Sequence, residues 1–181
     1  MRYRSHLLTG IALGILSFST SVCAEIGVAH VRGTAGHESL EGTVHFQETP
    51  EGMAIEATFN NLPEGAHGFH IHEHGSCDDQ GKAAGGHFNP DGVKHGDIVK
   101  DGFTNAHAGD LGNLTASAEK TASLSKVVPQ LRLSSGPYAV AGRSVIVHEA
   151  QDDFGQPTGN AGGRIGCGVI TVTDSATEGQ P

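Results

Sequence analysis

Short runs of strand-forming residues, separated by turn residues, make up most of this 181-residue chain. The chain contains 27 glycines and 7 prolines, and between them lie segments rich in Val, Ile, Thr and Phe. Residues 53–59 (MAIEATF) alternate apolar and polar side chains, as a half-buried strand does, and NNLPEG then forms a turn signal. Further strands are predicted at 27–32, 42–46, 69–73, 112–118, 130–134, 144–149 and 168–173. About eight short strands without a clear amphipathic helix predict an antiparallel sandwich or barrel.

The N-terminal segment has the composition of an export signal. Two arginines precede an apolar run over residues 7–18, which is too short to span a bilayer comfortably. Small residues follow, in the pattern that signal peptidase cleaves after Ala24. The sequence therefore predicts a secretory signal over 1–24 and a single folded domain over 25–181, in the periplasm or outside the cell. Lipidation of Cys23 is the alternative, which the residues before it fit poorly.

The charge of the chain limits its partners. Removing the predicted signal takes away two arginines and no acid, leaving nine basic against twenty acidic residues, a formal charge of −11 instead of −9. Nucleic acid is not expected as a partner, because phosphate binding needs clustered lysines and arginines. No second apolar run of membrane length follows, so no membrane partner is expected after cleavage.

Two cysteines remain after the predicted signal, Cys77 and Cys167. An even number of cysteines in an oxidising compartment makes a disulfide the default expectation. Closing a loop of about 90 residues is worth roughly 4–5 kcal/mol in the chain-entropy model. Two buried free thiols are the alternative.

Several of the chain's 12 histidines are spaced like metal ligands. His70 and His72 lie two apart in a predicted strand, so both imidazoles point to the same face. The glycine-rich stretch 75–110 has little apolar periodicity, and long loops of this kind are usually functional. It supplies His87, His95, His107 and Asp110. Three histidines and a carboxylate suit tetrahedral zinc.

A further histidine, His148, ends the predicted strand 144–149. Ligation by imidazole alone suits copper in both of its common oxidation states. By contrast, His30, His37 and His45 stand singly in the N-terminal strands and are expected to be ordinary surface or core residues.

Two histidines flank the His70–His72 pair. His67 is out of phase with the pair and is expected to be a partly exposed imidazole. His74 shares the phase of the pair. A partly exposed ring is expected there too, with a secondary role in metal capture as the alternative.

Six motifs, in their order and separations, resemble the copper/zinc superoxide dismutase family, of the exported bacterial kind. They are GFHIH, GGHFNP, KHGD, HAGDLGN, GRSVIVHE and GNAGGRIGCGVI. The resemblance covers about residues 27–173. It implies an eight-stranded antiparallel Greek-key sandwich or flattened barrel with long metal-binding loops. It also implies dismutation of superoxide to dioxygen and hydrogen peroxide, with copper cycling between two oxidation states, zinc structural, and no other cofactor.

The resemblance also implies a role for particular residues. The copper set is His70, His72, His87 and His148, and the zinc set is His87, His95, His107 and Asp110. His87 would bridge the two metals, and Asp152 would hydrogen-bond one histidine of each set. Cys77 and Cys167 would form the family disulfide. Arg164 would stand at the mouth of the copper site and attract superoxide.

This chain departs from the better-known eukaryotic members of that family in its loops. Residues 154–163 are short and carry no charged side chain, so Lys82 and Lys94 are candidates to help Arg164 attract the anion. The separation of His95 and His107 is wider and predicts an insertion between two zinc ligands. A homodimer is possible. The alternative function is an exported copper/zinc buffer on a dismutase-like fold.

Overall fold

The computed structural model describes residues 25–173. The predicted signal, residues 1–24, lies outside the described residues, as do residues 174–181. Within the described part, no helix is long and apolar enough to cross a membrane.

Eight strands form one antiparallel sheet, which confirms the expected all-β fold class. The strands are β1 (Ile26–Gly33), β2 (Glu41–Thr49), β3 (Gly52–Asn60), β4 (Gly65–His72), β5 (Asp110–Ala116), β6 (Ala122–Val128), β7 (Ser144–His148) and β8 (Arg164–Thr173). Helical structure in the described residues is limited to a 3-10 turn, Lys82–Ala84, and a four-residue helix, α1 (Ile98–Asp101). Helix α1 lies in the insertion that the wide His95–His107 separation predicts.

The strand order is β5-β4-β7-β8-β1-β2-β3-β6. Three neighbouring pairs, β4–β7, β1–β8 and β3–β6, join strands that are distant in sequence, as Greek-key connections do. The first and last strands of the sheet do not pair, but the Lys126 ammonium on β6 donates to the Leu111 carbonyl on β5. The sheet therefore curls into a nearly closed, flattened barrel.

The barrel core is built by alternation. On β3, Ile55 and Phe59 are buried while Glu56 between them is exposed. The rings of Phe59 and Phe69 meet edge to face with centroids 5.9 Å apart, which joins β3 to β4 across the interior. Strand β4 differs, because its residues are buried on both faces from His67 onward. One face of β4 lies on the core and the other is covered by the long loops.

One predicted strand is wrong. Residues 130–134 form turns and an isolated bridge between Arg132 and Ala139, and the strand of this region is β6. Leu131 and Leu133 are fully buried in the core, so this loop has the alternation of a strand without forming one. Strand β6 pairs with β3 alone and exposes its serines, which hides its strand character in the sequence.

The expected disulfide is confirmed. Cys77 and Cys167 are bonded across a sequence separation of 90 residues. The bond ties the loop that follows β4 to the middle of β8. That loop carries backbone carbonyls that contribute to the site described below. The disulfide therefore holds this loop in place against β8.

Candidate metal centre

A first cluster of four histidines forms where β4 pairs with β7. His70 stands opposite Ile146 in the register, and His72 stands opposite Ser144. A shift in the β7–β8 register at the end of β7 accompanies His148, while a bridge to His72 brings in His87. One ring nitrogen from each of the four can be chosen so that all lie within 4.8 Å of one another. The strand pairing therefore gathers residues that are up to 78 positions apart in the sequence.

Three nitrogens of this cluster are buried and have no hydrogen-bond partner: His70 Nδ1, His72 Nε2 and His148 Nε2. The other nitrogen of each ring is occupied. His70 Nε2 donates to Asp152 Oδ2 at 2.8 Å, and His72 Nδ1 donates to the Gly85 carbonyl at 3.0 Å. These contacts fix the tautomers, so the unpartnered nitrogens carry lone pairs. A buried acceptor without a donor is costly, and a bound cation would remove that cost. The residues therefore fit a metal that prefers nitrogen ligands.

A second cluster surrounds Asp110, the first residue of β5 and the partner of His70 in the β4–β5 register. Its carboxylate oxygens lie 2.8 Å from His87 Nδ1, 2.8 Å from His95 Nδ1 and 3.1 Å from His107 Nδ1. The His95 contact has the distance of a hydrogen bond but lacks its direction, so that nitrogen is unpartnered too. The ligand atoms of the four residues lie within 4.8 Å of one another. Three imidazoles and a carboxylate are a donor set that zinc accepts.

His87 belongs to both clusters. Its Nδ1 faces Asp110, and its ring centroid lies 4.1 Å from that of His70 in the other cluster. Because the two nitrogens of an imidazole lie on different edges of the ring, Nε2 is the one left for the first cluster.

Asp152 is hydrogen-bonded to one histidine of each cluster. Its carboxylate accepts hydrogen bonds from His70 Nε2 at 2.8 Å and from His95 Nε2 at 2.9 Å. Asn113 in turn binds both backbone polar groups of Asp152, with its Nδ2 donating to the carbonyl and its Oδ1 accepting from the amide. The carboxylate thereby fixes the orientation of one ring in each cluster.

Burial and hydrogen bonding give the two clusters different protonation. Burial lowers the pKa of His70 to about 4, of His72 to about 2 and of His148 to about 3, so these rings are neutral near pH 7. Burial also lowers the pKa of His95, but its close contacts with the negatively charged Asp110 and Asp152 carboxylates outweigh it and raise the value to about 9. Burial raises the pKa of both carboxyls, yet the imidazole hydrogen bonds dominate and keep each below its usual range.

A cavity of about 200 Å³ opens onto the first cluster. His72, His87, His148 and Arg164 line it, with residues of the 158–162 loop. Arg164 stands opposite His148 in the β7–β8 register. Its Nη1 donates to the Gly81 carbonyl and its Nη2 to the Gly85 carbonyl at 2.6 Å, so the disulfide loop fixes the guanidinium at the cavity wall.

The chain matches the sequence model of the family described as copper/zinc superoxide dismutase over residues 40–170. It is also 33% identical to "Extracellular superoxide dismutase [Cu-Zn]" of Brugia pahangi, in a match that covers 94% of this chain and 87% of that protein. The chain belongs to the copper/zinc superoxide dismutase family. The solved structure described as "Crystal Structure Analysis of the clock protein EA4" is similar as well. It has a TM-score of 0.74 and 32% identity, and the match covers 87% of this chain and all of that one.

Family membership confirms the resemblance read from the motifs. The protein is a superoxide dismutase, an enzyme that uses copper and zinc to convert superoxide to dioxygen and hydrogen peroxide. The histidine clusters are able to hold such metals. The residue-by-residue assignment of ligands and the bacterial subtype remain predictions.

The two histidines that flank the His70–His72 pair lie in different environments. His67 is 3% exposed, and the expectation of a partly exposed ring is wrong. Its Nδ1 lies 2.9 Å from the His148 carbonyl and its Nε2 lies 2.8 Å from the Pro63 carbonyl. A register shift in β4 just after Gly68 and the loop cover over this strand explain why simple alternation fails there. His74 is exposed and joins no metal-binding group within residues 25–173.

The isolated histidines behave as expected, since His30 and His45 are exposed, His37 is half-buried, and none joins a cluster in the described part of the chain. Neither proposed helper lysine lines the cavity. Lys82 lies 4.0 Å from Asp79 on the surface, and Lys94 borders a separate cavity beside His95.

The metal-free, disulfide-bonded protein is expected to melt at its highest temperature near pH 6.5. An unfolded histidine has a pKa of about 6.5. Below that pH the unfolded chain takes up protons that the folded His70, His72 and His148 do not, so stability falls as the pH decreases. The folded pKa of His95 is raised instead, so its stabilisation is complete below about pH 6.5 and is lost as the pH rises toward 9.

Thermal melts of metal-free protein between about pH 5 and 9 measure this dependence. A melting temperature that stays constant over the range, or that still rises at its alkaline end, would contradict it.

Proposed function

We propose that this enzyme holds copper in the first cluster and zinc in the second, with His87 contacting both metals. The copper set is His70, His72, His87 and His148, and the zinc set is His87, His95, His107 and Asp110. The observation that supports it most strongly is that His87 is a member of both four-residue sets while only its Nδ1 contacts Asp110, which leaves Nε2 for the first set.

The donor chemistry supports the assignment of the two metals. The first set offers imidazole nitrogens alone, and burial keeps the rings of His70, His72 and His148 neutral, which suits copper as Cu(I) and as Cu(II). The second set adds the charged Asp110 carboxylate, which suits zinc. Bound copper would supply the one-electron chemistry of the reaction, and bound zinc would supply a fixed positive charge beside His87.

The chain itself must attract an anion and deliver protons. Two superoxide ions and two protons give one dioxygen and one hydrogen peroxide. Arg164 offers a permanent positive charge at the cavity wall. His87 lines the cavity, and its Nε2, the ring nitrogen that does not contact Asp110, is the atom that would hand a proton to the product.

The buffer alternative is not favoured. A metal store has no need of a guanidinium anchored by two carbonyls at the edge of the first cluster, as Arg164 is. The family comparisons also point to an enzyme.

Replacing one ligand of each set should separate the two metals. We expect His148→Gln to lose copper and keep zinc. We expect His107→Gln to lose zinc before copper. The reason is that each of these histidines belongs to one set alone. Metal analysis of each purified variant after loading and gel filtration measures this. Both variants losing the same metal would refute the assignment.

Replacing Arg164 should slow the reaction while both metals stay bound. Electrostatic attraction changes association rates by about 10–10³-fold, so we expect Arg164→Ala to lower the rate of superoxide decay at low salt by about tenfold or more. Arg164→Lys keeps the positive charge but lacks the planar set of donors, so its rate should lie between those of Arg164→Ala and the parent.

The matched control is Arg32→Ala, because Arg32 is an exposed arginine paired with Glu41 at 3.3 Å. The assay compares superoxide decay in metal-loaded protein with and without a chelator. Turnover that is equal in Arg164→Ala and the parent would contradict the role of Arg164, and decay without metal dependence would contradict the function.

We also propose that the protein is exported, to a periplasm or outside the cell, after cleavage behind Ala24. The Cys77–Cys167 disulfide and the extracellular relative support this. A homodimer remains a prediction. Intact-mass measurement of the protein recovered from its native compartment should give a chain beginning at Glu25. A mass that retains residues 1–24 would show that no such cleavage occurs.

A further inference from the structure

The side chain of Gln156 binds both backbone polar groups of His95. The His95 amide donates to Gln156 Oε1 at 3.1 Å, and Gln156 Nε2 donates to the His95 carbonyl at 2.9 Å. One amide group thus serves a donor and an acceptor of the same residue, as a neighbouring strand would. This pairing also fixes which end of the Gln156 amide carries the oxygen.

Gln156 acts together with two other residues of the same loop. Asp152 accepts a hydrogen bond from His95 Nε2, and the ring of Phe154 stacks on the His95 ring at 6.3 Å with an interplanar angle of 20°. Alternate residues 152, 154 and 156 therefore contact His95 at its ring edge, its ring face and its backbone. We call this set of three the His95 clamp.

The same loop then returns across the clamp and becomes the wall of the copper cavity. Gly159 has φ +77°, and a Cβ there would lie 1.9 Å from Asp152 Oδ1 and 2.7 Å from His95 Nε2. The return path therefore packs directly on the Asp152–His95 contact. Thr158, Asn160 and Gly162 follow as cavity-lining residues.

We propose that Gln156 is a positioning residue that fixes His95 for zinc and links zinc binding to the order of the copper-cavity wall. This inference rests on the proposed zinc set. The neutral side-chain amide of Gln156 holds His95 in place by hydrogen bonds. The loop 154–163 is therefore anchored without a charged side chain.

Zinc alone is the probe, titrated into metal-free, disulfide-bonded full-length protein in competition with a chromophoric chelator. We expect Gln156→Met to weaken zinc binding by about tenfold or more, as is usual when the support of a ligand is removed. The matched control is Gln80→Met. Gln80 Oε1 accepts from the Ala35 amide at 2.6 Å, so this variant also loses a side-chain contact to the backbone, but away from His95. Its zinc affinity should equal that of the parent.

A second readout is hydrogen exchange of residues 158–164 at zinc concentrations that saturate each variant, where a loss of affinity alone would change nothing. Zinc should slow exchange there in the parent and in Gln80→Met, and should do so much less in Gln156→Met. If Gln156→Met does not fold, Gln156→Asn, one methylene shorter and unable to span both groups, gives the same comparison.

The outcomes separate the two proposals. Equal zinc affinity in Gln156→Met and the parent, or an equal loss in Gln80→Met, overturns the role of Gln156 and leaves the metal sets intact. Failure of the parent to bind zinc overturns the proposed metal sets and this inference with them.

Discussion

His95 lies between two buried carboxylates, and the rest of the centre depends on that arrangement. Asp110 Oδ2 is 2.8 Å from its Nδ1, and Asp152 Oδ1 is 2.9 Å from its Nε2. Two buried negative charges so close together are unstable unless positive charge or donors compensate them. In metal-free protein a proton on His95 does this, which is why its pKa is raised. Zinc at the proposed site would supply positive charge in place of that proton, so the fold has a place for either cation.

The barrel supplies only part of the geometry that this arrangement needs. His70, His72, Asp110 and His148 lie on strands whose positions are set by the pairings of β4 with β5 and β7. His87, His95 and His107 lie in a long loop, and such segments vary in position unless they are tied down. The loop is tied at its start by Arg143. The Arg143 guanidinium lies 3.6 Å from the Phe88 ring centroid, next to His87, and donates to the Glu73 carbonyl at 2.7 Å. The His95 clamp ties it further along.

Strand periodicity accounts for only one pair of residues in this centre. The two-residue spacing of His70 and His72 places them on one face, and motif order led to the other candidates. His67 was misread because alternation separates core from solvent, whereas β4 is covered on both sides. The prediction for residues 130–134 is wrong because a loop there buries leucines in the core at strand spacing. Gln156 gave no signal, since a single glutamine in an uncharged loop looks the same whether its amide meets solvent or a backbone 61 residues away.

Because the protein carries a net negative charge, the attraction of superoxide to it must be a short-range effect. Charged groups separated by more than about 10 Å are largely screened at moderate salt, so much of the negative surface contributes little inside the cavity. Arg164 lies at the cavity wall itself, partly buried, where a lower local dielectric strengthens its field. Lys82 and Lys94 do not line the cavity, and the return loop 154–163 carries no charge. The uncharged loop adds no charge that would oppose the attraction between the Arg164 guanidinium and superoxide close to the cavity. Rigidity then matters more than the number of charges, and the carbonyls of Gly81 and Gly85, held by the disulfide loop, supply it.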